Sequence, residues 1–278
     1  MENILIPFDF SELAVGALRF ALNLPRHEEA RFHLLHVIKM PVLQSSARLP
    51  IPSAEEESIH DAEKEAEVRF EKLGREYLKE GKLRTAIRFG DTAQSITEYT
   101  TDNRIDLVVM GTNGATGLRE LLIGSRTEKV VRHSPVPVIA VKQFNPENKI
   151  KSIVFPVTLD ETPDERLVTK VRLLQDHLNA KLHLLWVNTV ANFRDENDAR
   201  KALNALATRF LLKNYTINIF NDMTEEEGVI YFADSIDADL IAMATHGRTG
   251  FAHVLAGSIA EDVVSHSKRP VLTFVVKK

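Results

Sequence analysis

Short apolar runs ended by polar or turn residues alternate along this chain with longer segments whose apolar positions return every three or four residues. The first run, Asn3–Phe8, is apolar through almost its whole length and is followed by Asp9. Such a run suits a parallel strand buried on both faces. Leu13, Ala14, Ala17, Leu18 and Ala21 then recur at helical spacing over 12–24, behind Ser11, a residue type whose hydroxyl caps helix N-termini. The same alternation predicts strands over 32–38, 83–88, 105–110 and 137–142, and helices over 54–79, 92–101 and 125–133. Gly90 marks a turn, and Asp91 caps the helix after it, with Gln94 at capping-box spacing. Five strands alternating with four helices predict an α/β fold, a doubly wound parallel sheet with right-handed crossovers. The connection 39–53 carries Pro41, Pro50 and Pro52 and is either an ordinary surface loop or a lid over the strand ends.

The pattern then starts again. Ile153–Val157 repeats the first strand with Pro156 in the place of Pro7, and Lys181–Asn188 repeats the second with Trp186 and Val187 in the places of His36 and Val37. Thr162, Pro163 and Glu165 make a helix start, with threonine as cap, proline at the first helical position and glutamate at capping-box spacing. The polar segment 143–149, with a central proline, reads as a linker between domains at 1–142 and 150–278.

One stretch carries chemistry. Over 110–137, Gly111, Gly114, Gly124 and Ser125 spell G-x2-G-x9-G-S directly beyond the fourth predicted strand. Residues without Cβ let backbone N–H groups approach an anion, and the helix that follows presents unpaired N–H groups with a partial positive charge, so the stretch outlines a phosphate cradle. Ser125 and Glu128 form S-x-x-E, so Ser125 can cap that helix with or without a ligand. Arg126 is placed either to reach a phosphate from the first turn or to sit in solvent. In the echo over 243–270, Gly247, Gly257 and Ser258 recur, but Ala244 stands where Gly111 does, and Thr158 stands where Asp9 does.

With its flanking M-G-T-x-G and trailing R-H-S-P-V-P-V, the stretch is similar to the universal stress protein family in its tandem form, two copies per chain. The strand ending at Asp9, the strand ending in His36 and Val37, and Gly90 with Asp91 before the third helix extend the resemblance over nearly the whole sequence. It implies two Rossmann-like domains of the adenine-nucleotide α-hydrolase type, each a five-stranded parallel sheet of order 3-2-1-4-5. In that order strands one and four adjoin at the switch point where ligands bind. It implies ATP as ligand, with any Mg²⁺ arriving with the nucleotide. Asp9 would then contact the ribose or adenine side, Val37 would lend main-chain contacts to adenine, Met110 to Gly114 would border ribose and phosphates, and Gly124 and Ser125 would hold the outer phosphates. Each has a structural alternative: Asp9 as a helix cap, Val37 as core, Ser125 as a cap alone. The replacements Thr158 and Ala244 leave the first domain nucleotide-competent and the second degenerate. The resemblance further implies a stress-response regulator acting through conformation or a protein partner, and an internal pseudo-dimer through the fifth strands, with a homodimer as an open possibility. The family holds members with and without ATP, so a ligand-free interaction scaffold of the same fold is the alternative.

Composition narrows the remaining classes. A chain of 278 residues, 44% hydrophobic, buries either one large core or two modest ones, and the repeat favours two. Interspersed lysines and glutamates with a net charge of -4 offer no basic face to nucleic acid or anionic membrane. There is no cysteine, which removes disulfides and thiolate zinc sites and fits a reducing compartment. The N-terminus enters a strand directly, without the pattern of a signal peptide, and no run approaches the roughly 20 apolar residues of a membrane span, so a cytoplasmic protein is expected. Ten histidines raise a zinc reading, but His33 with His36 and His246 with His253 lack zinc-site spacing. No general base, nucleophile dyad or arginine finger stands near the glycines, so the protein is not expected to be an enzyme and any ATP turnover is expected to be slow. An adenylate-transferring enzyme would need a motif such as H-I-G-H or S-G-G-x-D-S, and neither occurs.

Overall fold

The computed structural model describes residues 2–24, 30–39, 53–77, 82–112, 125–142, 149–159, 165–246 and 254–276. The first half runs β1 (Asn3–Pro7), α1 (Glu12–Asn23), β2 (Arg31–Ile38), α2 (Ser53–Tyr77), β3 (Leu83–Phe89), α3 (Thr92–Asp102), β4 (Leu107–Gly111), α4 (Ser125–His133) and β5 (Val138–Val141). The second half repeats it as β6 (Ser152–Pro156), α5 (Glu165–Leu178), β7 (Lys181–Asn188), α6 (Glu196–Arg209), β8 (Tyr215–Asn221), α7 (Glu225–Ser235), β9 (Leu240–His246), α8 (Val254–His266) and β10 (Val271–Val276). The connection 40–52, the linker 143–148 and the helix start at Thr162 lie outside the described residues.

All ten strands form one sheet of order β3-β2-β1-β4-β5-β10-β9-β6-β7-β8. Within each half the neighbours pair in parallel, and each half has the order that the resemblance implies. The halves meet through β5 and β10, which pair antiparallel with Leu272 opposite Ile139.

Burial explains why the strands read as continuous apolar runs. Ile4, Leu5 and Ile6 of β1 are all fully buried, yet Ile4 and Ile6 join the core under α1 and α2, whereas Leu5 joins the core under α3 and α4. Successive side chains leave opposite faces of a strand, so a sheet covered on both sides needs every position apolar. The helix starts follow the expected chemistry in part. Ser11 Oγ accepts from the Ala14 N–H at 3.2 Å, and Asp91 Oδ1 accepts from the Gln94 N–H at 3.0 Å after Gly90, whose φ is +119°. The capping box is one-sided, however: the Gln94 amide donates to Glu98 Oε1 at 2.8 Å.

The expectation of two cores holds on one face of the sheet only. Under α3 and α4, and under α7 and α8, two separate clusters form. On the other face a single cluster runs from Ile4, Ile6 and Ile139 through Ile153, Phe155 and Leu272 to Leu240. The joined sheet makes this possible, because β5 and β10 carry the apolar surface across the junction without a break.

His33 and His36 stand three apart on β2 and so face opposite sides of the sheet, which keeps them from sharing one ion. His33 is buried, with Nδ1 3.0 Å from the Tyr99 hydroxyl and Nε2 without a hydrogen-bond partner. Burial first, then the nearby Arg84 and Arg31, lower its pKa from 6.5 to about 4. Between those pH values the unfolded chain binds a proton here that the folded chain does not, so stability falls as pH drops through that window and levels off below it. The full effect is on the order of 3 kcal/mol. In His33→Gln, which cannot titrate, the melting temperature is expected to fall less between pH 6.5 and 4 than in the wild type. Parallel curves for the two proteins would refute this account.

Candidate functional site

The carboxyl ends of β1, β2 and β4 surround a cleft of about 380 Å³. That lies within the range of small-molecule sites. Asp9 follows β1 and Val37 sits near the end of β2. Met110 and Gly111 end β4, and Arg126 stands in the first turn of α4; all five line the cleft. Of the other expected site residues, Gly114 and Gly124 lie outside the described residues, and Ser125 is described only as the first residue of α4.

Several of these residues serve the fold and the cleft together. Asp9 Oδ1 accepts from the Ser11 N–H at 3.1 Å, so the carboxylate braces the opening of α1 while lining the cleft. Val37 packs against the core under α3. Gly111 corrects the reason offered for it from sequence. A Cβ there would meet the Leu13 carbonyl oxygen at 2.3 Å, and the residue has no positive φ that would demand glycine. Close passage of α1 over the end of β4 therefore requires this glycine, whatever ligand lies beyond it. Ala244 at the matching place in β9 is partly buried against the large core cluster.

Phe8, His36, Thr92 and Thr127, not foreseen as cleft residues, also line it, together with Thr112, which falls within the expected border from Met110 to Gly114. His36 Nδ1 lies 2.8 Å from the Phe8 carbonyl oxygen, which only accepts, so Nδ1 carries the proton. Phe10, between Asp9 and Ser11, has φ of +63°, uncommon for a bulky residue. Its ring is held against His36 and Phe70, each at 5.0 Å, with the Arg69 guanidinium 4.4 Å above it. Such a conformation costs of order 1–3 kcal/mol and persists where packing over-determines it. Through Phe10, α2 fixes the rim beside Asp9.

The cleft's electrostatics come from helix ends. Ser11 caps α1, Thr92 opens α3 and Arg126 lies in the first turn of α4, and all three line the cleft. Each helix N-terminus presents unpaired N–H groups and a partial positive charge. At α3 the Gln94 N–H holds the Asp91 carboxyl below its usual range. The arrangement suits an anion, with Asp9 available to accept from hydroxyl groups. Among the described residues no group of three or more His, Asp or Glu stands together to hold a metal ion.

The second half departs from this. Thr158 follows β6 in the place of Asp9, and Ala244 stands in β9 in the place of Gly111.

A doubly wound α/β protein, duplicated and with an anion-suited cleft at the switch point of its first half, is the class these features define. A model of the universal stress protein family matches residues 1–142 and again 149–275. The chain belongs to the universal stress protein family. It is 30% identical over 145 residues to a universal stress protein of Methanocaldococcus jannaschii, covering 51% of this chain and 82% of that one. A universal stress protein of Mycolicibacterium smegmatis is 23% identical over 97% of this chain and 96% of its own, so it shares the two-repeat length. The fold is similar to the crystal structure of a universal stress protein from Archaeoglobus fulgidus, at a TM-score of 0.74 and 18% identity, over 98% of this chain and 97% of that one.

The contact beneath Gly111 makes a prediction. Gly111→Ala is expected to lower stability by roughly 1–3 kcal/mol, as overpacking does. Ala244→Gly is expected to cost about 1 kcal/mol or less. Denaturant unfolding compares the two, and an unchanged midpoint for Gly111→Ala would remove the packing argument.

Proposed function

We propose that this protein is a stress-response regulator that binds ATP, or a related adenine nucleotide, in its first half, with slow hydrolysis or none. The observation that carries the proposal is the cleft, where Asp9 and three helix N-termini converge on one switch point. The helix ends favour the phosphate chain, and a carboxylate beside them favours ribose hydroxyls. Membership of the family supports assigning the adenine side to the backbone at Val37 and the phosphates to the loop bearing Gly114 and Gly124 and to the start of α4. When bound, a Mg²⁺ ion would neutralise phosphate charge and would be carried by the nucleotide. In this reading the second half acts as a structural partner, with Thr158 in the place of the carboxylate and Ala244 in the place of Gly111. Signalling to a protein partner would follow from the conformation that the nucleotide stabilises.

The reading is tested by calorimetric titration of ATP into the full chain, into Asp9→Ala and into Gly124→Arg. Near one site per chain is expected in the wild type, with loss on Gly124→Arg and weaker binding in Asp9→Ala. Two sites would overturn the division between the halves. No heat with any of the three proteins would leave a ligand-free scaffold as the function.

A further inference from the structure

The sheet ends in two edge strands, and they differ. At one end lies β3, with Arg84 and Arg88 along it; at the other lies β8, Tyr215–Asn221, with no charged residue and no proline. Charges, proline or a covering element normally keep an edge strand from pairing with another chain. None of the 7 residues of β8 is buried, and among the described residues no strand but β7 pairs with it.

The ladder with β7 shows which backbone groups of β8 are open. The Leu182 N–H donates to the Asn214 carbonyl at 3.0 Å just before the strand, and the Asp222 N–H donates to the Asn188 carbonyl at 3.2 Å just after it. Inward-turned groups belong to every second residue of a paired strand. Thr216, Asn218 and Phe220 therefore bond β7, while Tyr215, Ile217, Ile219 and Asn221 turn their N–H and C=O groups to the open edge.

Antiparallel pairing of β8 with itself, about a two-fold axis at its middle residue Asn218, satisfies those groups. Tyr215 then stands opposite Asn221 of a second copy and Ile217 opposite Ile219, so each open residue meets an open residue. The flanks are complementary too. Reversal of direction brings Lys213, before the strand, toward Asp222, after it, and brings Leu211, 70% exposed, toward Met223, 76% exposed. The same operation on β3, about Ala86, would set Arg84 opposite Arg88, a destabilising pair of like charges. We propose that a second copy of this chain docks on β8, edge to edge and antiparallel, in an isologous dimer. The chain already joins its own halves by antiparallel edge pairing, at β5 and β10. Because β8 lies at the far end of the sheet from β3, the second halves form the centre of the dimer and the first halves its outer parts. The proposal does not depend on the nucleotide reading.

Sedimentation of the full chain over a wide range of concentrations tests this. It compares the wild type with Leu211→Lys combined with Met223→Lys, with Leu211→Lys combined with Met223→Glu, and with Val68→Lys, a control at an exposed apolar residue of α2. The wild type is expected to dimerise as concentration rises. The double lysine variant is expected to weaken the dimer about tenfold or more, since it brings like charges together across the axis. The lysine–glutamate variant should keep the dimer, because antiparallel pairing sets its opposite charges side by side, and Val68→Lys should leave it unchanged. Amide hydrogen exchange gives a second readout. Exchange at Tyr215, Ile217, Ile219 and Asn221 is expected to slow as concentration rises, while Thr216, Asn218 and Phe220 stay protected throughout. A wild type that stays monomeric would overturn the proposal and leave the edge to a strand of another protein. A dimer that resists the double lysine substitution, or open-edge amides indifferent to concentration, would overturn it as well. If the variants fail to fold, exchange in the wild type decides alone.

Discussion

The antiparallel pairing of β5 with β10 is the contact on which the rest of this molecule depends. Every residue of β5, Val138–Val141, is buried, and Val271 and Leu272 of β10 are buried opposite them. Left unpaired, either strand would be an apolar sheet edge with open N–H and C=O groups, a form that invites association with other chains. Pairing the two edges within one chain removes both at once. It also merges the two sheets, and only on a merged sheet does the core under α1 and α5 run through the junction.

The same junction fastens the helix that opens on the cleft. Arg132 in the last turn of α4 grips Glu261 of α8 through two guanidinium nitrogens, Nε at 2.8 Å from Oε1 and Nη2 at Oε2, and also pairs with Glu128 of its own helix at 3.1 Å. Glu261 raises the guanidinium pKa above its ordinary value, chiefly through the hydrogen bond. Two-point contacts of this kind fix direction as well as proximity. Beside them Lys142 Nζ donates to the Ser265 carbonyl, and burial lowers the lysine pKa to about 8. The C-terminal end of α4 is therefore held by the second half, while its N-terminal end borders the cleft of the first. Whatever binds at that N-terminus acts on a helix that both halves share.

Strands and helices were legible in the sequence because both faces of the sheet are covered, which makes the strands uniformly apolar and the helices amphipathic. The β7 strand falls where the pattern places it, Lys181–Asn188, and α4 spans the expected 125–133. Asp9, Val37, Met110, Gly111 and Arg126 meet in one cleft, since the switch point collects strand ends that pattern alone can identify. What stayed hidden depends on packing at a distance in sequence. Gly111 looks like a ligand-facing glycine, and only the passage of Leu13 over it shows the steric demand. A buried threonine is equally ambiguous: Thr273 hydrogen-bonds the Val138 carbonyl at 3.3 Å, while the Thr112 and Thr245 hydroxyls have no partner among the described residues, and no local motif separates the cases. The single core on one face could not be read either, because the β5–β10 register joins residues more than a hundred positions apart.

The two copies of the glycine-flanked helix show how duplication divides labour. Glu261 of α8 matches Glu128 of α4 in the repeat, and the two carboxylates meet the same guanidinium from different sides: Glu128 pairs with Arg132 along its own helix, and Glu261 holds it across the junction. One position of the repeat thus serves the helix in one copy and the contact between the halves in the other, and α4 is fastened by both.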